Sequence, residues 1–273
     1  LKGSFLIGER ETDGELLYLN LFGENGGQPQ HGPHTLIAGE SGGGKGVLTR
    51  NILLDLFATN SPRNVRVRFI DPKFGGDYPW LRRMPHVDGG IVDNQQEAME
   101  VLDGLVEEME RRYREIMKVG SNIDRYNAKV EPDARLPRLF LFHDEIGDWM
   151  ADAAGGDYRD AVAGHVVRLA SKARAAGIHL VLITQRPDRE ALPPQIKANI
   201  GNKICLKVAS NANSRIVLDE GGAERLLGSG HFAAKLANEV PSGQSSLIFG
   251  QAPFLDEDEA EEMADAIIGH WGR

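Results

Sequence analysis

The clearest chemical signal is Gly39-Glu40-Ser41-Gly42-Gly43-Gly44-Lys45. This G-x-x-x-x-G-K spacing follows a short apolar run, Thr35–Ala38, and precedes a helical stretch, the context in which such a loop cradles phosphate. Glycine permits positive φ and close backbone approach, so successive N–H groups can face phosphate oxygens at a helix N-terminus. Lys45 supplies a point charge for the β- and γ-phosphates, and Gly46 and Val47 complete the expected nucleotide contact at the helix start. A flexible Gly-rich turn is the bland alternative, and strand, spacing, lysine and helix together argue against it. One departure stands out. The residue after the lysine is normally Ser or Thr, whose hydroxyl holds Mg²⁺. Here it is Gly46, and neither Ser41 nor Thr49 occupies the equivalent place. Because Mg²⁺ keeps waters readily, nucleotide binding is expected to survive with weakened hydrolysis.

The second signal is Leu139-Phe140-Leu141-Phe142-His143-Asp144-Glu145, an apolar strand ending in two carboxylates. Asp144 is expected beside the metal, and Glu145 is expected to polarise an attacking water. An Asp-Glu pair alone means little; its position after such a strand, well downstream of the phosphate loop, is what carries weight. His143 reads as a buried, neutral, hydrogen-bonded residue rather than a catalytic one.

These residues need a scaffold. From Leu36 onward, short apolar runs alternate with longer amphipathic stretches, the order of a mostly parallel sheet flanked by helices. Strands are expected at Thr35–Ala38, Val65–Ile70, Leu139–Phe142, Leu180–Thr184 and Lys203–Val208, each apolar enough to be covered on both faces. Helices are expected at Lys45–Ala58, Gln95–Val119, Ala161–Ala176 and Asn211–Leu218, with Gly177 ending the third. Phe5 to Leu21 reads as a hairpin turning at Asp13-Gly14, followed by a Gly-rich loop from Gly23 to Gly32. His231–Lys235 and Ser245–Phe249 read as added strands around a Pro241-Ser242-Gly243 turn, and the acidic run Asp256 to Glu262 opens a last helix. The expected division is residues 1–33, a β hairpin and loop packed on the main domain, and residues 34–273, the nucleotide-binding α/β domain itself.

The chain has 273 residues, enough for one large α/β domain, and a net charge of −9, with Lys plus Arg 31 against Asp plus Glu 40. That acidity argues against a simple DNA-coating module, while leaving room for a ring with basic groups gathered on one inner surface. Cys205 is the only cysteine, which excludes an intrachain disulfide and fits a reducing compartment. No apolar run approaches the roughly 18–20 residues needed to cross a bilayer, and no signal peptide is visible. The first residue is Leu1 rather than Met, so an anchoring or targeting region outside this sequence is expected.

Several longer motifs carry a resemblance. Phe69-Ile70-Asp71-Pro72-Lys73, Glu108-Met109-Glu110-Arg111-Arg112-Tyr113, Lys172 to Leu180, Thr184-Gln185-Arg186-Pro187, Ile196-Lys197-Ala198-Asn199-Ile200 and the run from Ser214 to Gly228 are similar, in order, to motifs of FtsK/SpoIIIE translocase motors. The resemblance runs from about Ile7 to Phe249. It implies a RecA-like P-loop core using ATP and Mg²⁺, working as a homo-hexamer around double-stranded DNA, in the cytoplasm or as the cytoplasmic part of a membrane-associated protein. Gln185 then looks like the polar sensor near the γ-phosphate. Arg111 and Arg112 are the first candidates for the arginine a neighbour would receive, and Arg174 the second; an ordinary salt-bridging role is the alternative for each.

No acidic residue lies between Asp160 and Asp188, an interval holding Arg168, Lys172, Arg174 and Arg186. Such groups suit sequence-tolerant phosphate contact. Arg189 and Lys197 are the choices for pore-facing DNA contacts, with solvation or subunit contact as the alternative. Two other functions remain open at this stage: a polypeptide-export motor related to the same family, and a nucleotide-binding scaffold that has lost hydrolysis at Gly46.

Overall fold

The computed structural model describes residues 3–23, 30–150, 156–239 and 246–272. Its strands are β1 (Ser4–Arg10), β2 (Leu16–Asn20), β3 (Thr35–Ala38), β4 (Val65–Ile70), β5 (Val87–Val92), β6 (Arg138–His143), β7 (Ile178–Thr184), β8 (Asn202–Leu206), β9 (His231–Lys235) and β10 (Ile248–Gln251). The helices are α1 (Lys45–Thr59), α2 (Gln95–Val119), α3 (Ile123–Asn127), α4 (Ile146–Met150), α5 (Gly156–Lys172), α6 (Pro194–Asn199), α7 (Asn211–Leu218) and α8 (Glu257–Trp271).

Among the described residues these strands form one sheet in the order β2-β1-β10-β9-β8-β3-β7-β6-β4-β5. From β8 to β5 every pairing is parallel. From β8 outward through β9, β10, β1 and β2 every pairing is antiparallel. The expected α/β architecture is present, and the N-terminal hairpin joins the same sheet through β10.

Alternation along the strands sends side chains to two cores. Ile37, Val67, Phe69, Phe140, Phe142 and Ile183 face a layer containing α1 and α8. Leu36, Ile70, Leu141, Leu180 and Leu182 face a layer built from α2, α4, α5 and α7. Helix α1 is buried on most of its circumference because the sheet covers one side and α8 the other.

Helix ends follow local chemistry. Asn94 caps α2 by accepting from Glu97 N–H at 2.9 Å, and Asp256 with Glu259 forms a capping box on α8. Helix α5 ends at Lys172, short of the Ala176 expected from its pattern. The chain then turns, with Ile178 N–H donating to Ala173 O at 3.1 Å and Gly177 at φ 71. This is a Schellman-type closure that needs the left-handed glycine. A side chain there would also meet Ile123 Cδ1 at 2.4 Å.

Strand β5 was not expected from the sequence. Its Val-Asp-Gly-Gly-Ile-Val composition is half polar, Gly89 and Gly90 take φ 75 and 74, and its pairing with β4 slips between Val67 and Phe69. An irregular edge strand of this kind gives no alternating pattern. Strand β10 is shifted to Ile248–Gln251 from the expected Ser245–Phe249, and the Pro241-Ser242-Gly243 turn lies outside the described residues.

Buried histidines tie strands together. His34, fully buried just before β3, accepts from Leu180 N–H of β7 at 3.0 Å, and burial holds its pKa down to about 4. Between the ordinary 6.5 and that value, the unfolded chain takes up a proton that the folded chain does not. Stability contributed by neutral His34 is therefore complete above the unfolded value and lost as pH falls toward the folded one, at up to about 1.4 kcal/mol per pH unit. His34→Asn keeps a side-chain acceptor and cannot ionise. Urea midpoints followed from neutral pH down to pH of about 4 should show the parent declining relative to the variant; parallel curves would refute this.

Candidate active site

Sheet order, rather than chain order, assembles the site. Strands β3, β7, β6 and β4 lie side by side and parallel, so the segments leaving their C-terminal ends become neighbours. Those segments are Gly39–Lys45, Gln185, Asp144-Glu145 and Asp71–Tyr78. Together they line a cavity of about 400 Å³. Open α/β sheets place ligands in this position, outside the carboxyl ends of the strands.

The phosphate loop is held from both sides. Gly39 N–H donates to Thr184 O at 3.2 Å, and Glu40 N–H to Lys207 O at 2.8 Å. Gly42 takes φ 76 and Gly44 φ 103 at the N-cap of α1. A side chain on Gly44 would lie 2.6 Å from Gly230 N, whose N–H donates to Gly43 O at 3.0 Å. Backbone close to backbone leaves no room to yield, so glycine is required there. Ser41, Gly42, Gly44, Lys45, Gly46 and Val47 line the cavity, while Gly39, Glu40 and Gly43 brace it from behind. Buried Lys45 donates through Nζ to Glu40 O at 3.1 Å. Burial lowers its pKa, opposed by the charges of Glu145 and Asp144.

Across the cavity, Asp144 accepts from Tyr78 Oη–H at 3.0 Å and from Glu145 N–H at 2.9 Å. Burial, with help from the charges of Asp71 and Glu145, pushes its pKa up to about 7. Glu145 adopts φ 47, a conformation that non-glycine residues rarely hold without a reason. One of its oxygens lies 3.5 Å from Lys73 Nζ, and the other, Oε1, is buried without a hydrogen-bond partner. Asp71 is spent on its own loop, accepting from Lys73 N–H and Gly75 N–H, each at 2.8 Å. His143 is fully buried, its Nδ1 3.1 Å from Asp144 O and its ring edge-on to Trp149; burial takes its pKa down to about 4, so it stays neutral.

Gln185 reaches the cavity from the end of β7. Sequence reasoning did not single out Arg50, Lys73, Asp77 or Tyr78 as site residues, although all line the same space. Only the Asp71-Pro72-Lys73 motif pointed to that loop.

The arginines divide. Arg112 is a correction: it is 1% exposed, and its guanidinium donates to Glu108 at 2.7 Å, Pro137 O at 2.6 Å and Ala176 O at 3.0 Å. Pro137 and Ala176 precede β6 and β7, at the opposite end of the strands from the phosphate loop, so this side chain ties strand starts together and cannot extend to a neighbouring molecule. Arg111 is half exposed and makes a two-point contact with Glu108, both bonds at 2.7 Å. Arg174 is exposed and has no ion-pair partner among the described residues. The basic island is partly neutralised from elsewhere in the fold: Arg168 pairs with Glu110 of α2, and Arg186 with Asp188 at 3.6 Å. Lys197 and Lys203 share Asp219 at 2.7 and 3.0 Å. Arg189 is exposed in a groove of about 550 Å³ with Arg159 and Glu190.

Comparison with known proteins bears on this geometry. The FtsK/SpoIIIE family model matches residues 11–189. The chain is 36% identical over 246 residues to a DNA translocase FtsK of Bacillus cereus, covering 87% of this chain and 30% of that protein. Thus it spans about a third of the length of such curated relatives. Its fold is similar to that of the pCW3 conjugation coupling protein TcpA, solved as a monomer with ATPγS, at a TM-score of 0.82 and 26% identity, covering 99% of this chain and 71% of that one. The type VII secretion ATPase EccC of Thermomonospora curvata aligns at a TM-score of 0.79 and 26% identity, over 98% of this chain and 31% of that one. The cradle, the acidic strand end and these matches agree: the chain belongs to the FtsK/SpoIIIE family.

Proposed function

We propose that this chain is an ATP-hydrolysing motor domain that drives movement of double-stranded DNA. The observation that carries the proposal is the single cavity shared by Lys45, Asp144 and Glu145. In this reading Ser41 to Val47 wrap the phosphates, Lys45 meets the β- and γ-phosphates, and Glu145 draws the proton from the attacking water. Gln185, at the end of the strand between the two halves, senses the γ-phosphate. The family's DNA translocases support duplex DNA as the substrate. A homo-hexamer, an anchoring region elsewhere in a longer protein and a cytoplasmic setting belong to the same proposal.

Mg²⁺ fits this donor set. No group of three or more His, Cys, Asp or Glu among the described residues is clustered to hold a metal by itself. Mg²⁺ does not need one, since it is commonly bound by one or two carboxylates, phosphate oxygens and waters. Asp144, buried with no cation paired to it among the described residues, and Glu145, which meets Lys73 through one oxygen and leaves Oε1 without a partner, supply the carboxylates. When bound, the cation neutralises charge developing on the phosphates. The chain's own residues do the rest. Tyr78 fixes the Asp144 carboxylate, and the left-handed backbone at Glu145 aims its side chain into the cavity.

The trans arginine would come from Arg111, after release from Glu108, or from Arg174, which is free of such a partner. DNA contact is assigned to Arg189 and Lys197, with Arg189 the stronger because Asp219 already holds the Lys197 ammonium.

ATP turnover should rise on adding duplex DNA, and the rise should shrink as salt increases. Turnover indifferent to DNA would favour a polypeptide-moving role, and binding without turnover a scaffold. Glu145→Gln should lower turnover by roughly 10²-fold or more while nucleotide still binds, as removal of a general base does; equal turnover would remove Glu145 from that role. Arg189→Ala should reduce the slope of log affinity against log salt by about one, and Lys197→Ala by less. Unchanged slopes in both would take these residues off the DNA path.

A further inference from the structure

Gly46 leaves the phosphate loop without the hydroxyl that ordinarily follows its lysine. A side-chain carbon built at Gly46 would lie 3.4 Å from Asp77 Oδ2 and 3.9 Å from Asp77 Cγ, with no other group among the described residues within 4 Å beyond its own helix and chain neighbours. A carboxylate oxygen therefore lies beside the space that a short hydroxyl side chain at position 46 would enter. Asp77 also lines the cavity that holds Lys45, Asp144 and Glu145.

The backbone on both sides of Asp77 is held in place. Gly76 N–H donates to Lys73 O at 3.3 Å, and Tyr78 N–H to Gly75 O at 2.9 Å. Tyr78 is buried and donates to Asp144, so Asp77 and Asp144 are positioned relative to each other through a single intervening residue. The Asp77 carboxylate itself is exposed and has no hydrogen-bond or ion-pair partner among the described residues. Solvated aspartates are ordinary; this one faces a gap that ATPase chemistry needs filled. An independent observation points the same way. Glu145, 3% exposed, lines the same cavity, and its Oε1 is buried without a hydrogen-bond partner.

We propose that Asp77 replaces the hydroxyl missing at Gly46 and acts with Asp144 to hold the divalent cation of the bound nucleoside triphosphate. The inference rests on the nucleotide reading given above. Two carboxylates facing a phosphate-bound Mg²⁺ are within that ion's usual ligand number. Asp77 would reach the position from the loop after β4, whereas a hydroxyl would come from α1. Loss of the hydroxyl then need not mean loss of metal, and Gly46 becomes an exchange of ligand source. Serine at position 46 would put its oxygen within hydrogen-bonding range of Asp77, so the two solutions would compete for one place.

The test reads metal dependence of binding rather than turnover. A fluorescent ATP analogue is titrated onto the whole chain in EDTA and then with rising Mg²⁺. Asp77→Asn should bind the metal-free analogue as well as the parent or better, and should need about 10-fold more Mg²⁺, or beyond, for half-maximal effect. Adding Gly46→Ser to Asp77→Asn should recover most of that loss, while Gly46→Ser alone should gain little. Recovery by a second substitution also separates a lost ligand from misfolding. An unchanged Mg²⁺ midpoint in Asp77→Asn, or a loss that Gly46→Ser does not recover, overturns the proposal. A parent chain that binds the analogue under neither condition overturns the nucleotide reading itself, and this inference with it.

Discussion

Charge confined at the edge of a parallel sheet governs this structure. Lys45, Asp144 and Glu145 are all buried, yet none finds a full set of partners within the fold. Burying a carboxylate or ammonium is costly unless it is paired and hydrogen-bonded. Lys45 is left with one carbonyl contact, Asp144 with a tyrosine hydroxyl and an amide, and Glu145 with a distant lysine and an unpartnered oxygen. The surrounding sheet offsets that cost through two apolar cores. An anionic ligand with a cation would supply what the resting site lacks.

The supports of the site are mostly backbone. Gly42 and Gly44 of the phosphate loop adopt backbone conformations that other residues rarely hold, and the neighbouring segments at Lys207 and Gly230 hold the loop through main-chain hydrogen bonds. Such supports place no demand on side-chain identity outside the glycines. They also explain why strand β9 and its preceding turn matter to the cup: Gly230 sits directly against Gly44. The antiparallel extension of the sheet is thus part of the wall behind the phosphate loop.

Charge elsewhere is largely neutralised across elements. Arg112 is folded into the protein as a tie between α2 and the starts of β6 and β7. Arg168 meets Glu110, and Lys197 and Lys203 converge on Asp219. A run of basic residues in the chain therefore becomes a mixed surface in the fold. The exposed Lys172 and Arg174 are what remain of the basic island without an ion-pair partner among the described residues, with Arg189 exposed just beyond it.

The phosphate loop, the acidic strand end and most core strands and helices could be read from the chain because each is a local pattern. Glycine spacing, apolar runs and helical periodicity act over a few residues. Strand β5 escaped because its two left-handed glycines erase alternation, and the end of α5 was misplaced because Ala173 to Ala176 favour helix while packing of Gly177 against Ile123 demands a turn. Partnership over distance was not legible at all. Nothing in the order of residues says that Gln185 shares a cavity with Lys45 and Glu145, that Glu108 consumes Arg112, or that Asp77 faces Gly46. Those facts arise when β3, β7, β6 and β4 pair in an order unlike their order in the chain. Local sequence determined which groups this protein carries; the register and order of the parallel strands decided which of them meet.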